Sequence, residues 1–284
     1  MPHLKYNPAT DVPDLSGQVI LITGGTAGIG KETLFVFAKH NPQRLYFTGR
    51  NTAQAAQIIA DIKSTTPAVD LTNRLDILIC NAGVMNVPPA LTKDGYEVHF
   101  GINHIAHALL IKLLLPTLLR TADAPGSDVR IVSLTSQGFS THPGGGIVFK
   151  DLRTTQGSGL MKAMRYGQSK LANILYAAEL AQRYGSKLTT VSIHPGVVRT
   201  DLLNNQSGLV QFLSFLTHPF SMLTPEEGAY NTLWASTADK TKIVNGEFYE
   251  PVGIRGGHAR KSRDRKLAKE LWEWTDKELE GYHI

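Results

Sequence analysis

Short β-type apolar runs recur along the 284 residues, each closed by a polar or glycine-containing turn and separated by stretches of helical character. Val19-Ile20-Leu21-Ile22-Thr23 is the first run, and a helix over Thr33–Ala38 follows its glycine-rich turn. Leu45-Tyr46-Phe47-Thr48 is the second, followed by a helix over Asn51–Lys63. Leu75–Cys80, Arg130–Leu134 and Val191–Ile193 repeat the pattern, and Leu171–Tyr176 continues a helix that begins before Tyr166. Strands alternating with helices predict an α/β protein with a doubly wound parallel sheet. In such sheets ligands bind at the carboxyl ends of the strands, and there this chain places its polar groups: the glycine turn, Asn81-Ala82-Gly83, Ser133 to Ser136, and His194-Pro195-Gly196.

The glycine turn Gly24-Gly25-Thr26-Ala27-Gly28-Ile29-Gly30 lies between a strand and a helix start. Free backbone N–H groups and the positive end of the helix dipole make that junction an anion site suited to a diphosphate. Gly24, Thr26, Gly28, Ile29 and Gly30 are its candidate contacts. The alternative is a tight turn without a ligand, which the flanking strand and helix disfavour.

Tyr166 and Lys170 stand four residues apart and share one helix face. A cation near a phenol lowers the phenol's pKa and fits it for proton transfer. Alone, the spacing also suits a solvated helix face, and its company decides between the two. TGGTAGIG (23–30), NAG (81–83), Asn103 within GINHIAH, Ser136, YGQSK (166–170) and HPGVVRTD (194–201) occur in order. Together they resemble the motif series of the short-chain dehydrogenases/reductases, over most of residues 17–250. LTKDGYEVHFGINHIAHALL and SKLANILYAAELAQRY are similar to the branch of retinol dehydrogenases, WW-domain oxidoreductase and many fungal reductases.

The resemblance implies a Rossmann-type fold and hydride transfer between a nicotinamide cofactor and a small carbonyl or alcohol. It implies Tyr166 as general acid/base and Lys170 as the group that tunes the phenol and bonds the ribose. Ser136 would polarise the substrate oxygen, with Ser133 and Thr135 as neighbouring hydroxyls. Asn103 would hold a relay water; a helix asparagine with a local hydrogen bond is the other reading. Asn81, Ala82 and Gly83 would line the nucleotide, and Val198 and Thr200 the nicotinamide. The second strand ends without an acid and carries Arg50, whose planar fork suits a 2′-phosphate, so NADP is expected over NAD. Arg50 as a plain loop residue is the competing reading. A homodimer through the helices of Asn103 and Tyr166 is the implied assembly.

Composition narrows the picture further. Hydrophobic residues make up 42% and charged residues 19%, as in a soluble globular protein. The net charge of +5 gathers between Arg255 and Lys269, interleaved with acids, and reads as a solvated helix, not a nucleic-acid surface. Cys80 is the sole cysteine, at a buried strand end, and is expected to be inert. His104 and His107 flank Asn103 without a third ligand, so no metal is expected. The first 17 residues are polar with three prolines, and Leu109–Leu119 is broken by Lys112 and Pro116. Neither reads as a signal peptide or membrane span, and a cytoplasmic protein is expected.

One domain over 1–284 is expected: a cofactor and catalytic core (17–204), a substrate cap (205–224), then a helix, last strand and terminal helix (225–284). The cap's Leu209–Leu216 favours an apolar substrate; a membrane-surface helix is the alternative, disfavoured by its polar interruptions. His142 and Phe149 are candidate substrate contacts in a long loop region. Thirty residues separate Arg50 from Asn81, where the family fits a helix, an outer third strand and another helix. The expectation is a sheet lacking that strand and one helix, with the 51–63 helix crossing to the opposite face on its way to the next strand. A shortened adenine wall also sustains a rival reading: a catalytically weak or silent protein of this fold.

Overall fold

The computed structural model describes residues 5–62, 74–157, 161–199, 222–257 and 260–283. A short α1 (Pro8–Asp11) precedes β1 (Val19–Ile22), α2 (Gly28–Ala38), β2 (Arg44–Phe47), α3 (Thr52–Ile62) and β3 (Ile77–Cys80). Next come α4 (Val98–Phe100), a π-helical turn (Gly101–Ile105), α5 (Ala106–Ala122), β4 (Val129–Leu134), α6 (Met161–Tyr184) and β5 (Leu188–Ile193). Short β6 (Val197–Val198) and β7 (Met222–Leu223) pair with each other, followed by α7 (Pro225–Thr237), β8 (Phe248–Glu250), β9 (Ile254–Arg255) and α8 (Arg265–Glu278).

The main sheet has the order β2-β1-β3-β4-β5-β8-β9, parallel throughout except for the β8–β9 hairpin. Alternation within each strand sorts the apolar residues to two cores. Ile20, Ile22, Ile77, Ile79, Val132 and Val191 meet Leu34 and Phe37 of α2 and Leu233 of α7. Leu21, Leu78 and Ile131 face the other way, against α5, α6 and α8. The sheet is therefore doubly wound, as the residue pattern predicts.

Among the described residues no strand lies outside β2. β1 and β3 to β5 are buried throughout, whereas all four β2 residues are half-exposed, as an edge strand must be. The outer third strand and its helix are thus missing from the described fold; Val69-Asp70-Leu71 lies outside the described residues. α3 is thinly attached, with Ile58 its sole buried side chain. Ile62 packs against the core on the α2 side, where Val36 and Leu45 offer apolar surface. The expected transfer of this helix to the opposite face is thereby corrected.

One further expectation changes. The helix that carries Asn103 runs unbroken over Val98–Ala122, through Pro116, with a mean hydropathy of 1.5, and is long and apolar enough to cross a membrane. In sequence the apolar stretch Leu109–Leu119, broken by Lys112 and Pro116, falls short of the length a span needs. Its buried polar contacts to the strands and α6, described below, are those of a core helix. α8 lies on the α5–α6 face: Trp272 stacks on Tyr176 at 4.9 Å, His104 Nε2 meets Thr275 Oγ1 at 3.2 Å, and Lys112 Nζ donates to the Leu279 carbonyl at 2.8 Å.

Candidate active site

A groove of about 2600 Å³ follows the carboxyl ends of the strands. Gly24, Thr26, Gly28, Ile29, Arg50, Asn81, Ala82, Gly83, Ser136, Tyr166, Lys170 and Val198 all line it. Gly30 stands behind that wall, Asn103 is buried beneath it, and Thr200 lies outside the described residues.

The glycine loop is shaped by close approach. Gly24 has φ +69° and Gly28 φ +52°, in the left-handed region that favours glycine. A Cβ on Gly30 would sit 2.4 Å from the Gly24 carbonyl oxygen and 2.6 Å from Asn81 Nδ2. The start of α2 has no side-chain cap and no acid in its first turn, whereas α7 carries a complete capping box and Asp264 caps α8. An uncapped N-terminus opening into a groove leaves its amides for an anion, so the loop fits a diphosphate. Asn81 Nδ2 donates to the Thr23 and Gly24 carbonyls at 2.7 and 3.2 Å, which locks the strand-end turn onto the loop. Arg50 is exposed at the groove rim, and among the described residues no carboxylate pairs with it.

At the other end, β4 delivers Ser136 and α6 delivers Tyr166 and Lys170. Ser136 caps a short 3₁₀ helix (Gln137–Thr141), accepting from the Gly138 amide at 3.1 Å, and its hydroxyl is the polar neighbour that draws the Tyr166 phenol down. Gly138 packs on the phenol ring: a Cβ there would lie 2.8 Å from Tyr166 Cε1. Thr135 Oγ1 donates to the Lys170 carbonyl at 2.7 Å and ties α6 to the strand end. Lys170 Nζ donates to the Leu134 carbonyl at 3.0 Å and stands 5.9 Å from the Tyr166 ring centre.

Burial dominates the electrostatics. It pushes the Tyr166 phenol above its ordinary value, and the Ser136 hydrogen bond offsets this only in part. It also draws the Lys170 ammonium down to about 8. The lowering of the phenol expected from Lys170 alone is therefore reversed: in the nucleotide-free protein desolvation outweighs the cation. Tyr166 is thus held as a protonated donor. Cys80, fully buried, is pushed up to about 12, which disfavours its thiolate.

Asn103 sits in the π-turn, whose extra residue re-aims its side chain. Its Oδ1 accepts from the Val84 amide at 2.8 Å, and its Nδ2 donates to the Val84 carbonyl and to Ser169 Oγ at 3.0 and 2.9 Å. With both amide protons used, the side chain braces the 84 segment and α6, and Oδ1 keeps one acceptor site beyond the Val84 amide. Phe149 packs against Trp274 and His142 bonds the Pro143 carbonyl, so neither lines the groove. Among the described residues no group of His, Cys, Asp and Glu is placed to hold a metal.

Sequence reasoning missed Gly138, the tie from Thr135 to the Lys170 carbonyl, and a buried cluster beside the phenol. In that cluster Glu97 pairs with Arg165 at 2.9 Å and with His99 at 2.9 Å, and the His99 ring meets Tyr166 edge-on at 6.2 Å. The sole sequence signal was a charged residue, Arg165, directly before the tyrosine.

Known proteins place this arrangement. The short-chain dehydrogenase/reductase drtF of Aspergillus calidoustus is 33% identical over 304 aligned positions, covering 94% of this chain and 95% of that one. The chain belongs to the short-chain dehydrogenase/reductase family. Human retinol dehydrogenase 11 is 33% identical, covering 95% of this chain and 88% of the relative, and mouse retinol dehydrogenase 12 is 36% identical, covering 91% and 85%. A solved Mycobacterium paratuberculosis protein superposes with a TM-score of 0.73 at 25% identity, over 96% of this chain and 97% of that one. NADPH-bound carbonyl reductase from chicken fatty liver shares the fold with a TM-score of 0.61 at 21% identity, over 86% and 100%. No family model matches the chain. The protein is accordingly an oxidoreductase of the CH–OH/carbonyl type, and its expected membership and Rossmann-type fold hold.

Proposed function

We propose that this short-chain dehydrogenase/reductase uses NADP(H), in preference to NAD(H), to interconvert a carbonyl and an alcohol on a small apolar substrate. The observation that carries the reading is the convergence of Ser136, Tyr166 and Lys170 on the same groove as the glycine loop. The loop amides at Gly28 to Gly30 would hold the diphosphate, and the 81–83 turn would wall the nucleotide. Arg50, without a carboxylate partner among the described residues, suits a 2′-phosphate. The bound cofactor supplies or accepts the hydride.

The chain's own residues handle the proton and the oxygen. Ser136 Oγ and the Tyr166 hydroxyl converge on a substrate oxygen; Tyr166 donates its proton to it in reduction and takes one back in oxidation. Lys170 places its ammonium beside that phenol and stabilises the phenolate left after transfer. Thr135 and Asn103 hold α6 so that Tyr166 and Lys170 stay in register.

An apolar substrate is supported by Met85, Val87, Pro88 and Ile254 along the groove, and by the names of the human and mouse relatives, since retinol is an apolar alcohol. The Leu- and Phe-rich cap lies outside the described residues. A cytoplasmic location is part of the same proposal. Oxidation of NADPH by a panel of apolar ketones and aldehydes tests it: turnover with none, or turnover preferring NADH, overturns the reading. A second reading, a weak or silent protein of this fold, rests on the bare β2 edge. Calorimetric titration with NADPH separates the two, because a silent protein with an open adenine side binds it poorly or not at all.

A further inference from the structure

Beneath the nucleotide wall, α5 carries a buried histidine that the proposed chemistry does not use. We infer that His107 is a positioning residue: a neutral imidazole, protonated on Nδ1, that fixes the Thr23 hydroxyl and so holds the 81–82 turn in place for the nucleotide.

Hydrogen-bond counting assigns the tautomer. The Asn81 and Ala82 amides both donate to Thr23 Oγ1 at 2.9 Å. A hydroxyl has two acceptor lone pairs and one proton, so those amides use its accepting capacity in full. The proton has two candidate acceptors, His107 Nε2 at 2.9 Å and the Ile79 carbonyl at 3.4 Å. The Ile79 carbonyl is distant and already accepts from the Thr23 amide at 3.0 Å. The proton therefore points at His107, and Nε2 must be bare. At the other end of the ring Nδ1 lies 3.1 Å from the Asn103 carbonyl oxygen, which can only accept, so Nδ1 bears the hydrogen. The two ends require the same tautomer independently. Burial supports it by drawing the imidazole down to about 4, with the nearby Lys170 charge acting in the same direction.

The consequence for the site follows from the rotor. Without an acceptor at the Nε2 position, the remaining partner for the Thr23 proton is the Ile79 carbonyl. Turning toward it swings the lone pairs away from the two amides. Asn81 and Ala82 then lose an anchor at the wall that faces the groove. His107 touches neither substrate nor nucleotide; it acts through Thr23, on binding and not on proton transfer.

This inference rests on the groove being an NADP(H) site, and the experiment has one arm that needs no nucleotide. In histidine-labelled, nucleotide-free protein, ¹⁵N NMR should show His107 protonated on Nδ1, bare on Nε2 and unchanged through the neutral range. His107→Phe keeps a ring of similar size and should weaken NADPH about tenfold, equivalent to about 1.4 kcal/mol. Its KM for NADPH should rise in parallel while kcat stays within about threefold, well below the 10²–10⁴-fold worth of a general acid. His107→Gln, whose amide oxygen reaches the Nε2 position, should recover most of the affinity.

A proton on Nε2, or an imidazole that titrates near neutral pH, overturns the assignment. So does a His107→Phe variant that binds NADPH normally, or one that loses kcat at an unchanged KM. A His107→Gln variant no better than His107→Phe overturns it too. Should His107→Phe fail to fold, the NMR result and His107→Gln decide. If the unsubstituted protein does not bind NADPH, the nucleotide reading falls while the tautomer result still stands or falls on its own.

Discussion

Replacing Lys170 by Met should stabilise the nucleotide-free protein while abolishing its activity. The ammonium is drawn from 10.5 to about 8 by burial, and no carboxylate pairs with it among the described residues. At about 1.4 kcal/mol per tenfold change in proton affinity, holding that charge costs the folded state about 3 kcal/mol at neutral pH. The substitution also removes the hydrogen bond to the Leu134 carbonyl, worth about 1 kcal/mol. That carbonyl is not orphaned, because Asn173 Nδ2 also donates to it at 3.0 Å. The net gain is about 2 kcal/mol, or a melting temperature higher by about 4 °C at the lower end of the scaling for chains of this size. The pH dependence has a definite sign. Below about pH 8 lysine is charged in both states, and the full cost is present. Between there and the ordinary lysine value the folded state is already neutral, and the cost shrinks. Above that value it vanishes, so the advantage of Met should fade as pH rises. Thermal melts followed by circular dichroism across this range test it. A Met variant that melts below wild type at neutral pH, or a gap that ignores pH, refutes the reasoning.

Tyr166→Phe should keep the fold and NADPH affinity but lower turnover by about 10²–10⁴-fold, the usual worth of a general acid; steady-state kinetics within a few-fold of wild type would contradict the role. Arg50→Ala should weaken NADPH more than NADH by about 1.5–3 kcal/mol for one charge-assisted contact, measured by titrating both nucleotides; equal losses would leave Arg50 a plain loop residue. Gly138→Ala should cut kcat by at least about tenfold by displacing the Tyr166 ring, roughly the effect of 1.4 kcal/mol on the barrier, with little change in melting; an unchanged kcat would show that the ring has room. Inserting about thirty residues of third strand and helix after Ala68 should tighten both nucleotides and raise the melting temperature by burying the β2 edge; equal binding and melting would make the short connection a native solution.

What was legible in the chain was local. Apolar runs ending in Thr23, Cys80 and Leu134 mark buried parallel strands because each is covered on both faces. The glycine loop, Ser136, Tyr166 and Lys170 follow from those strand ends. What stayed hidden depends on contacts across long stretches of chain. Thr23 and His107 meet at a separation of 84 residues, and nothing near either announces the partnership. Asn103 could be recognised, but the π-turn that re-aims its amide at Val84 and Ser169 leaves no mark in the residue pattern. The phenol's pKa was misjudged in sign because spacing gives the distance to a cation and says nothing of the water excluded around both groups. Pro116 reads as a break, yet the surrounding packing carries the helix through it.

The sheet edge separates binding from chemistry. The 304 positions aligned with drtF exceed the 284 residues of this chain, so that relative carries residues absent here. Among the described residues the outermost strand is β2, and Arg50 stands just beyond its end. Ser136, Tyr166 and Lys170 come from β4, α6 and their junctions, on the far side of β1 and β3 from that edge. Losing an outer strand therefore strips cover from the adenine half of the groove while the Ser136–Tyr166 contact and the Lys170 anchor on Leu134 remain intact. A deficit caused by the short segment should appear as weak nucleotide affinity with turnover preserved at saturation. A failure of turnover in protein saturated with nucleotide points instead to the catalytic half, which the trimming does not touch.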